Sequence, residues 1–266
     1  MKKIILYFAF VATVMACGSK GEEKTIMEAE GLEFDSIVAD TLVRLTSEQG
    51  APEAKVHLSL MFATKGDNAK AVNDTLLHSG LVVPDYLSDI DAKGNIKAAL
   101  DTFLIRFAND YKKNYAPLYQ RDREHKASYS IVLNCKAKIN SYKDGIINYQ
   151  VETYNYAGGK DGLRWTLSHN IEAKTARILT LDDVLVPGYE KQLKEKVVEA
   201  LCDKFDADDL KELGEKGVMY DIEPYPSNNF ILKDGAIEFI YVDSEIAAHD
   251  KGEIRIEVKG IDDLWK

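Results

Sequence analysis

The side chains that could act as nucleophiles, general acids or metal ligands are scattered along this chain. None of its five histidines has a partner at the spacing of an HExxH zinc site, and no Gly-x-Ser-x-Gly turn offers a serine nucleophile. Ser168 and His169 are neighbours that point to opposite faces of a predicted strand, so they cannot form a catalytic pair. The pattern therefore selects no catalytic residue, metal ligand or cofactor, although a carboxylate pair of the kind used by glycosidases stays open.

A cluster of glycines at 158–162 is the candidate for ligand contact. It reads Gly-Gly-Lys-Asp-Gly, and glycines let a ligand approach backbone N–H groups closely. The cluster lacks the spacing of a phosphate loop, and a long hairpin connection explains it equally well. Tyr154, Asn155 and Tyr156 precede it with aromatic and amide groups of the kind used in glycan sites. The predicted binding residues are Tyr156, Gly158, Gly159, Lys160, Asp161 and Gly162.

The composition is that of a folded, acidic protein. Of the 266 residues, 45% are hydrophobic and 29% are charged, which is too apolar for a disordered chain. Lys and Arg number 34 against 44 Asp and Glu, so the formal net charge is −10. A nucleic-acid binder needs a surplus of Lys and Arg to neutralise phosphates. The composition therefore disfavours a nucleic-acid partner, and it excludes a multi-span membrane protein.

The N-terminus has the organisation of a secretory signal. A basic start precedes an apolar run over 4–15, which is shorter than the roughly 20 residues of a spanning helix. Val-Met-Ala-Cys at 14–17 resembles a bacterial lipobox, in which the cysteine is lipidated. An ordinary signal peptide followed by a coincidental cysteine is the alternative. We predict a signal peptide over 1–16, lipidation at Cys17 and a polar tether over 17–29.

The polar segment behind the cysteine bears on where such an anchor would place the protein. It contains Glu22 and Glu23, and it resembles the surface-export signal of Bacteroidetes lipoproteins. A flexible spacer between the lipid and the folded part explains the same residues. We expect secretion across the inner membrane and a lipid anchor in the outer membrane, at the periplasmic face or at the cell surface.

Apolar periodicity predicts the elements of an α+β fold. The strongest helix pattern runs from Ile96 to about Tyr111, with Pro117 limiting its extension, and further helices are predicted over 73–81 and 189–205. Strand patterns occupy 32–47, 55–62, 129–139, 147–156, 163–171 and 254–258, with a hairpin over 230–241. Because turn residues join neighbouring strands directly, we predict antiparallel sheets with packed helices, divided into two modules.

Several polar or reactive side chains fall on predicted apolar faces. His169 shares a strand face with Leu163 and Ile171, which predicts a hydrogen-bonded core histidine rather than a ligand. Cys135 lies on the apolar face of a strand and Cys202 on that of a helix. Both are predicted to be small core residues, and they would pair only if those faces meet.

Three stretches resemble one known family, the PdaC/RsiV-like proteins. Tyr156-Ala157-Gly158-Gly159 with Gly162 is similar to the loop between that family's modules. Ile-Leu-Thr-Leu-Asp-Asp-Val-Leu at 178–185 is similar to the family's entry into a helix. Over 230–265, Asp-Gly at 234–235 and Glu-Ile-Ala at 245–247 follow in the family's order. The resemblance implies a PdaC-like α+β module over 30–157 and an RsiV-like α+β module over 158–266.

What the resemblance implies is an extracytoplasmic module of unknown or ligand-binding function. The family includes a peptidoglycan deacetylase and an anti-sigma factor that senses lysozyme, and the chain has no motif of the deacetylase's metal-dependent catalytic domain. We predict a non-enzymatic binding or sensing module for a cell-wall glycan, such as a peptidoglycan fragment, or for a cationic secreted protein such as lysozyme. The alternatives are an enzyme acting on peptidoglycan or another polysaccharide and a structural subunit of a surface complex.

Overall fold

The computed structural model describes residues 26–81, 96–142 and 145–266, and it shows an α+β protein. The predicted signal peptide, Cys17 and the tether up to residue 25 lie outside the described residues, while the last four residues of that tether form the first strand. No helix in the described part of the chain is both long enough and apolar enough to cross a membrane. The strands are β1 (Ile26–Ala29), β2 (Leu32–Arg44), β3 (Glu53–Lys65), β4 (Ile131–Tyr142), β5 (Ile146–Ala157), β6 (Leu163–Glu172), β7 (Arg177–Leu179), β8 (Phe230–Lys233), β9 (Ala236–Tyr241) and β10 (Ile254–Val258). The helices are α1 (Ala69–His78), α2 (Ile96–Arg121), α3 (Leu181–Val184), α4 (Glu190–Phe205) and α5 (Leu210–Glu215).

The first seven strands form one sheet in the order β1-β2-β3-β4-β5-β6-β7. Neighbouring strands are antiparallel apart from β3 and β4, which are parallel. Helices α1 and α2 lie between these two strands in the chain, as a parallel pair requires a long crossover. The predicted α+β class with largely antiparallel sheets is therefore confirmed.

One face of this sheet, called here the inner face, buries the first hydrophobic core. In β3 the side chains alternate as predicted, with Val56 and Leu58 buried and His57 exposed between them. Leu76 of α1 and the apolar stripe of α2, including Leu100 and Phe103, complete this core. The opposite, outer face of the sheet carries the polar positions of the same strands.

The prediction that Pro117 limits the second helix is wrong, because α2 continues to Arg121 with the proline inside it. A proline costs one helical hydrogen bond. The last turn is nevertheless held by packing, since Tyr119 is buried and its ring lies edge-on to Tyr129 at 6.0 Å. The Tyr111 hydroxyl also donates to the main-chain oxygen of Tyr129 at 2.8 Å. This aromatic cluster offsets the lost bond and fixes the end of the helix.

The remaining strands form a second sheet, ordered β10-β9-β8, which carries its own core. Leu193, Val197 and Leu201 repeat along α4 and are fully buried in this second cluster. The cluster begins at Leu181, whereas the first sheet runs through β7 to Leu179. The two cores therefore divide the chain between these leucines, later than the boundary at 157/158 that the sequence indicates.

The two modules meet through hydrogen bonds to the free edges of two strands. The Asn170 side chain on β6 accepts from the Leu232 N–H at 3.1 Å and donates to the Phe230 carbonyl at 2.9 Å, which occupies the open edge of β8. Reciprocally, the Asn229 side chain accepts from the Ser168 N–H at 2.8 Å and donates to the carbonyl of Thr166 at 2.7 Å. Each side-chain amide thus forms the hydrogen bonds that the main chain of a neighbouring strand would otherwise form.

The predicted burial of β6 is correct only in part. Ile171 of its apolar face is buried in the first core, whereas Leu163 at the start of the strand is 52% exposed. The pattern does not predict that the polar Thr166, Ser168 and Asn170 are buried on the outer face. The second module covers that end of the outer face. A residue pattern gives the polarity of a strand face but not whether that face is covered. Here the polar face can be buried because its groups are hydrogen-bonded.

The two described cysteines are free and buried in different cores. Cys135 belongs to the first cluster and Cys202 to the second, so the two faces that carry them do not meet. Burial raises the pKa of the Cys135 thiol to about 11, and it also raises that of Cys202. Both are core residues, as predicted.

Candidate functional site

The predicted binding loop, 158–162, connects β5 to β6, and its outer glycines are required by packing. Gly158 has a left-handed φ of +79°, and a Cβ there would lie 2.1 Å from the Ser128 carbonyl oxygen. A Cβ at Gly162 would lie 2.4 Å from the Tyr154 ring. Gly159, Lys160 and Asp161 are exposed at the tip. The glycines therefore let the chain pass close to Ser128 and to Tyr154.

A cleft of about 900 Å³ lies beside this loop, where the second module meets the outer face of the sheet. Its floor consists of β3 to β6, and its wall consists of the segment between β9 and β10 with the start of β10. Of the predicted binding set, Gly162 borders the cleft, while Tyr156 and residues 158–161 lie outside its lining. The polar residues in the lining are His57, Asn134, Lys136, Glu152, Thr153, Tyr154, Arg164, Thr166, Asp243, His249, Glu253 and Arg255.

The floor is built from cross-strand neighbours on the outer face. His57, Asn134, Tyr154 and Arg164 are successive partners across β3, β4, β5 and β6. Side chains alternate between faces along a strand, so matching registers bring these polar positions into one row. The Arg164 guanidinium lies 4.5 Å from the centre of the Tyr154 ring. The row presents imidazole, amide, phenol and guanidinium groups side by side.

The wall orients a second histidine. After β9, Ser244 adopts a left-handed φ of 66°, and a short 3-10 turn, His249–Lys251, follows. Nδ1 of His249 lies 2.6 Å from Oδ2 of Asp243, a carboxylate whose side chain is only 12% exposed. The Ser244 hydroxyl also donates to Asp243 at 2.9 Å. Asp243 therefore holds the imidazole in place at the rim of the cleft.

A further pair joins the wall to the floor. Glu253 accepts from the Thr166 N–H at 2.6 Å and from Arg255 Nε at 2.7 Å. Arg255 Nη2 in turn donates to the Thr166 hydroxyl at 2.9 Å. These bonds bridge the two modules, so the shape of the cleft depends on how the modules dock.

A second concave surface lies on the helical side of the second module, and its chemistry is different. This groove, of about 1140 Å³, runs between α4, α5 and the segment 219–224. It exposes Leu210, Tyr220 and Ile222, and its rim charges pair with each other, as Lys194 does with Glu223. The cleft between the modules is the candidate site, because only there, of these two surfaces, do several kinds of polar group converge.

The structure also places the histidines and possible catalytic groups that the sequence singled out. Ser168 and His169 point to opposite faces, since the Ser168 hydroxyl lies 3.0 Å from the Phe230 carbonyl, while Nε2 of His169 lies 3.1 Å from the Ser79 carbonyl. Burial lowers the pKa of His169, in keeping with a hydrogen-bonded interior histidine. Within the described ranges, no three His, Cys, Asp or Glu side chains are grouped as metal ligands.

Most of the cleft was missed by the sequence reasoning because its residues are far apart in the chain. The sequence does contain a signal for it, namely the polar positions of each alternating strand. These positions have to be compared between neighbouring strands and not only along one strand. Asn134, Lys136 and Glu152 occupy such positions on β4 and β5. The wall residues Asp243 and His249 had no comparable signal, since they lie in a connection between strands.

Comparison with known proteins identifies the second module. Residues 182–259 match the family described as "Protein of unknown function (DUF3298)". A DUF3298 family protein from Bacteroides fragilis has a similar fold, with a TM-score of 0.78 and 20% identity over 90% of this chain and 96% of that one. Another, from Pseudomonas aeruginosa PAO1, has a TM-score of 0.60 and 16% identity over 88% and 94%. No curated protein matches the chain.

The chain therefore has a DUF3298 domain at 182–259, and its overall fold is similar to that of solved DUF3298 family structures. At such identities the likeness concerns the fold alone. The name PdaC/RsiV-like and the lipoprotein type therefore stay predictions from the sequence.

Proposed function

We propose that this protein is a non-enzymatic binding or sensing module of the bacterial envelope, and that a cell-wall glycan occupies the cleft between its modules. The observation that carries this proposal is the row of polar groups on the cleft floor, faced by Asp243 and His249 on the wall. A saccharide presents many hydroxyl and amide groups, which need both donors and acceptors. Asn134 and His249 supply such groups at exposed positions, and the cleft has a volume usual for small-ligand sites.

The carboxylates of the cleft favour binding over hydrolysis. A glycosidase needs a pair of carboxyl groups, one of them a general acid and the other a base or nucleophile. In the cleft, Glu152 pairs with Lys138, Asp243 with His249, and Glu253 with Arg255. Carboxylates held in this way are fixed hydrogen-bond acceptors. An enzyme acting on peptidoglycan is the alternative, and product formation from the bound glycan would support it.

A cationic secreted protein such as lysozyme is the second candidate ligand, and the formal charge of −10 favours it. An acidic surface accelerates encounter with a basic protein, and the rate falls as the salt concentration rises. Binding of lysozyme that competes with the glycan would place both ligands at the cleft. If lysozyme binds without competing with the glycan, lysozyme contacts a different surface of this chain.

The location belongs to the same proposal. A lipid at Cys17 would anchor the module in the outer membrane, facing the periplasm or the cell surface. Replacing Cys17 with Ser should move the protein from the membrane fraction to the soluble fraction and remove an acyl mass. Persistence of Cys17→Ser in the membrane, with no acyl mass on the wild type, would refute the anchor.

Calorimetric titration with muropeptides tests the binding site. The double variant Asn134→Ala/His249→Ala removes two exposed groups of the cleft, and we expect at least a tenfold loss of affinity, since one hydrogen bond contributes about 1 kcal/mol. The matched control is Lys160→Ala/Asp161→Ala in the adjoining loop, which should bind like the wild type. If the loop variant loses binding and the cleft variant keeps it, the site is the loop at 158–162. Absence of any binding to muropeptides would refute the glycan proposal.

A further inference from the structure

The acidic and basic groups of the cleft differ in whether they have ion-pair partners within the protein. Its three carboxylates all have basic partners, as described above, and Glu253 also accepts a main-chain N–H. His57 likewise lies 2.6 Å from a carboxylate oxygen of Asp40. The carboxylates of the cleft therefore already have hydrogen-bond donors within the protein itself.

Two cations on the floor lack this compensation. Arg164 on β6 and Lys136 on β4 are both exposed, and neither forms an ion pair with any residue that the structure describes. Arg164 does contact the face of the Tyr154 ring, but this contact uses no hydrogen bond and leaves the N–H donors of the guanidinium available. Exposed cations without an ion-pair partner can bind an anionic group of a ligand.

Their position matters because the chain as a whole is acidic, with a formal charge of −10. An anionic ligand therefore needs cations that can contact it directly. A guanidinium suits a carboxylate because its planar fork makes two parallel hydrogen bonds. The neighbouring Asn134 and His57 can meet hydroxyl groups of the same ligand.

We infer that the cleft takes an acidic saccharide, one that carries a carboxylate as a uronic acid or as a lactyl ether, and that Arg164 and Lys136 bind this carboxylate. The inference rests on the proposed function and narrows its ligand class. It requires the free acid to bind better than a neutral form of the same sugar, and it requires this preference to depend on the two cations.

The test compares two ligands that differ only at the lactyl group, which is an anionic carboxylate in one and a neutral methyl ester in the other. These are the N-acetylglucosamine–N-acetylmuramic acid disaccharide and its lactyl methyl ester, each titrated into the wild type and into Arg164→Gln and Lys136→Gln. The wild type should bind the free acid about tenfold to a hundredfold more tightly, as expected for charge-assisted hydrogen bonds. Arg164→Gln should remove most of this preference, Lys136→Gln should reduce it, and Arg164→Lys should restore part of it.

Lys160→Gln is the matched control, because it removes an exposed cation outside the cleft lining and should leave the preference unchanged. Equal binding of acid and ester to the wild type would overturn the acidic-saccharide inference and leave the glycan proposal standing. A preference that survives in the Arg164→Gln/Lys136→Gln double variant would also overturn it. Binding of neither ligand would overturn both proposals.

Discussion

Over 147–151 of β5 and 166–171 of β6, both faces of the sheet are covered, and they are covered in different ways. On the inner face Ile147, Tyr149 and Val151 pack into the first apolar core. On the outer face the most buried side chains include Asn148 and Asn170, which hydrogen-bond to each other and, through Asn170, to the edge of β8. One face is therefore stabilised by removing apolar surface from water, and the other by replacing water with protein hydrogen bonds.

The difference shows how this fold joins two modules through hydrogen bonds to the edges of β6 and β8. Open strand edges are costly to bury, because each unpaired N–H or carbonyl loses its water partner. Asn170 and Asn229 satisfy those edges from opposite sides of the boundary. The same docking sets the position of the wall that faces the cleft floor, so the polar face has both a structural and a functional consequence.

The largest expected effect is on the inner face. Ile147→Ala should lower the free energy of unfolding by about 3–5 kcal/mol, because it removes three carbons from a fully packed core and leaves a cavity. Urea denaturation monitored by circular dichroism measures the loss. A loss below about 1 kcal/mol would mean that the inner face is not tightly packed.

A smaller but substantial effect is expected on the outer face. Asn170→Leu keeps the side-chain size, leaves the Leu232 N–H without its acceptor and leaves the Phe230 carbonyl with only the Ser168 hydroxyl as a donor, so we expect a loss of about 2–3 kcal/mol in the same assay. Asn134→Ala, an exposed asparagine on the same sheet face, should change stability by no more than about 0.5 kcal/mol. Equal effects of the two substitutions would contradict the edge-pairing role of Asn170.

Ser168→Ala separates the contribution of one hydroxyl from that of the amides. The hydroxyl lies 2.9 Å from Asn229 Oδ1 and 3.0 Å from the Phe230 carbonyl, and it can donate to only one of them. We therefore expect a loss of about 1 kcal/mol. A loss as large as that of Asn170→Leu would show that Ser168 also positions the neighbouring amides.

The smallest expected effect concerns thiol labelling, since neither described cysteine should react in the folded protein. In the Cys17→Ser chain at pH 8, Cys135 should stay unlabelled by a polar thiol reagent, because it is fully buried and its thiol pKa of about 11 keeps it protonated. Cys202 should also stay unlabelled while the protein is folded, and both should react in urea. Rapid labelling of native Cys135 would show that water reaches the inner face.

The strands and helices that could be predicted are those in which the apolar periodicity and the other local sequence signals favour the same structure. The alternation in β3 and the apolar stripe of α4 are both found where the sequence placed them. The end of α2 could not be predicted, since Pro117 is a local signal against a helix and the aromatic contacts of Tyr119 that outweigh it are formed with residues beyond that helix. A local rule fails where a tertiary contact stabilises the chain more than the local preference destabilises it.

The candidate site was predictable only in part for a similar reason. The glycine loop at 158–162 and Tyr154 were visible because they are adjacent in sequence, and they do border the cleft through Gly162 and the Tyr154 ring. The cations Arg164 and Lys136 were not singled out, because nothing near them in sequence suggests a site. The pairing of β4, β5 and β6 brings them to one floor.

The sequence alone determined the α+β class, the polarity of each strand face and the burial of both cysteines, because these depend on short-range patterns of apolar and polar residues. Only the tertiary structure decided which polar face would be covered, where the two cores divide and which charged groups share a cleft. Those features depend on register and docking between segments that are distant in the chain, and single-segment periodicity contains no information about either.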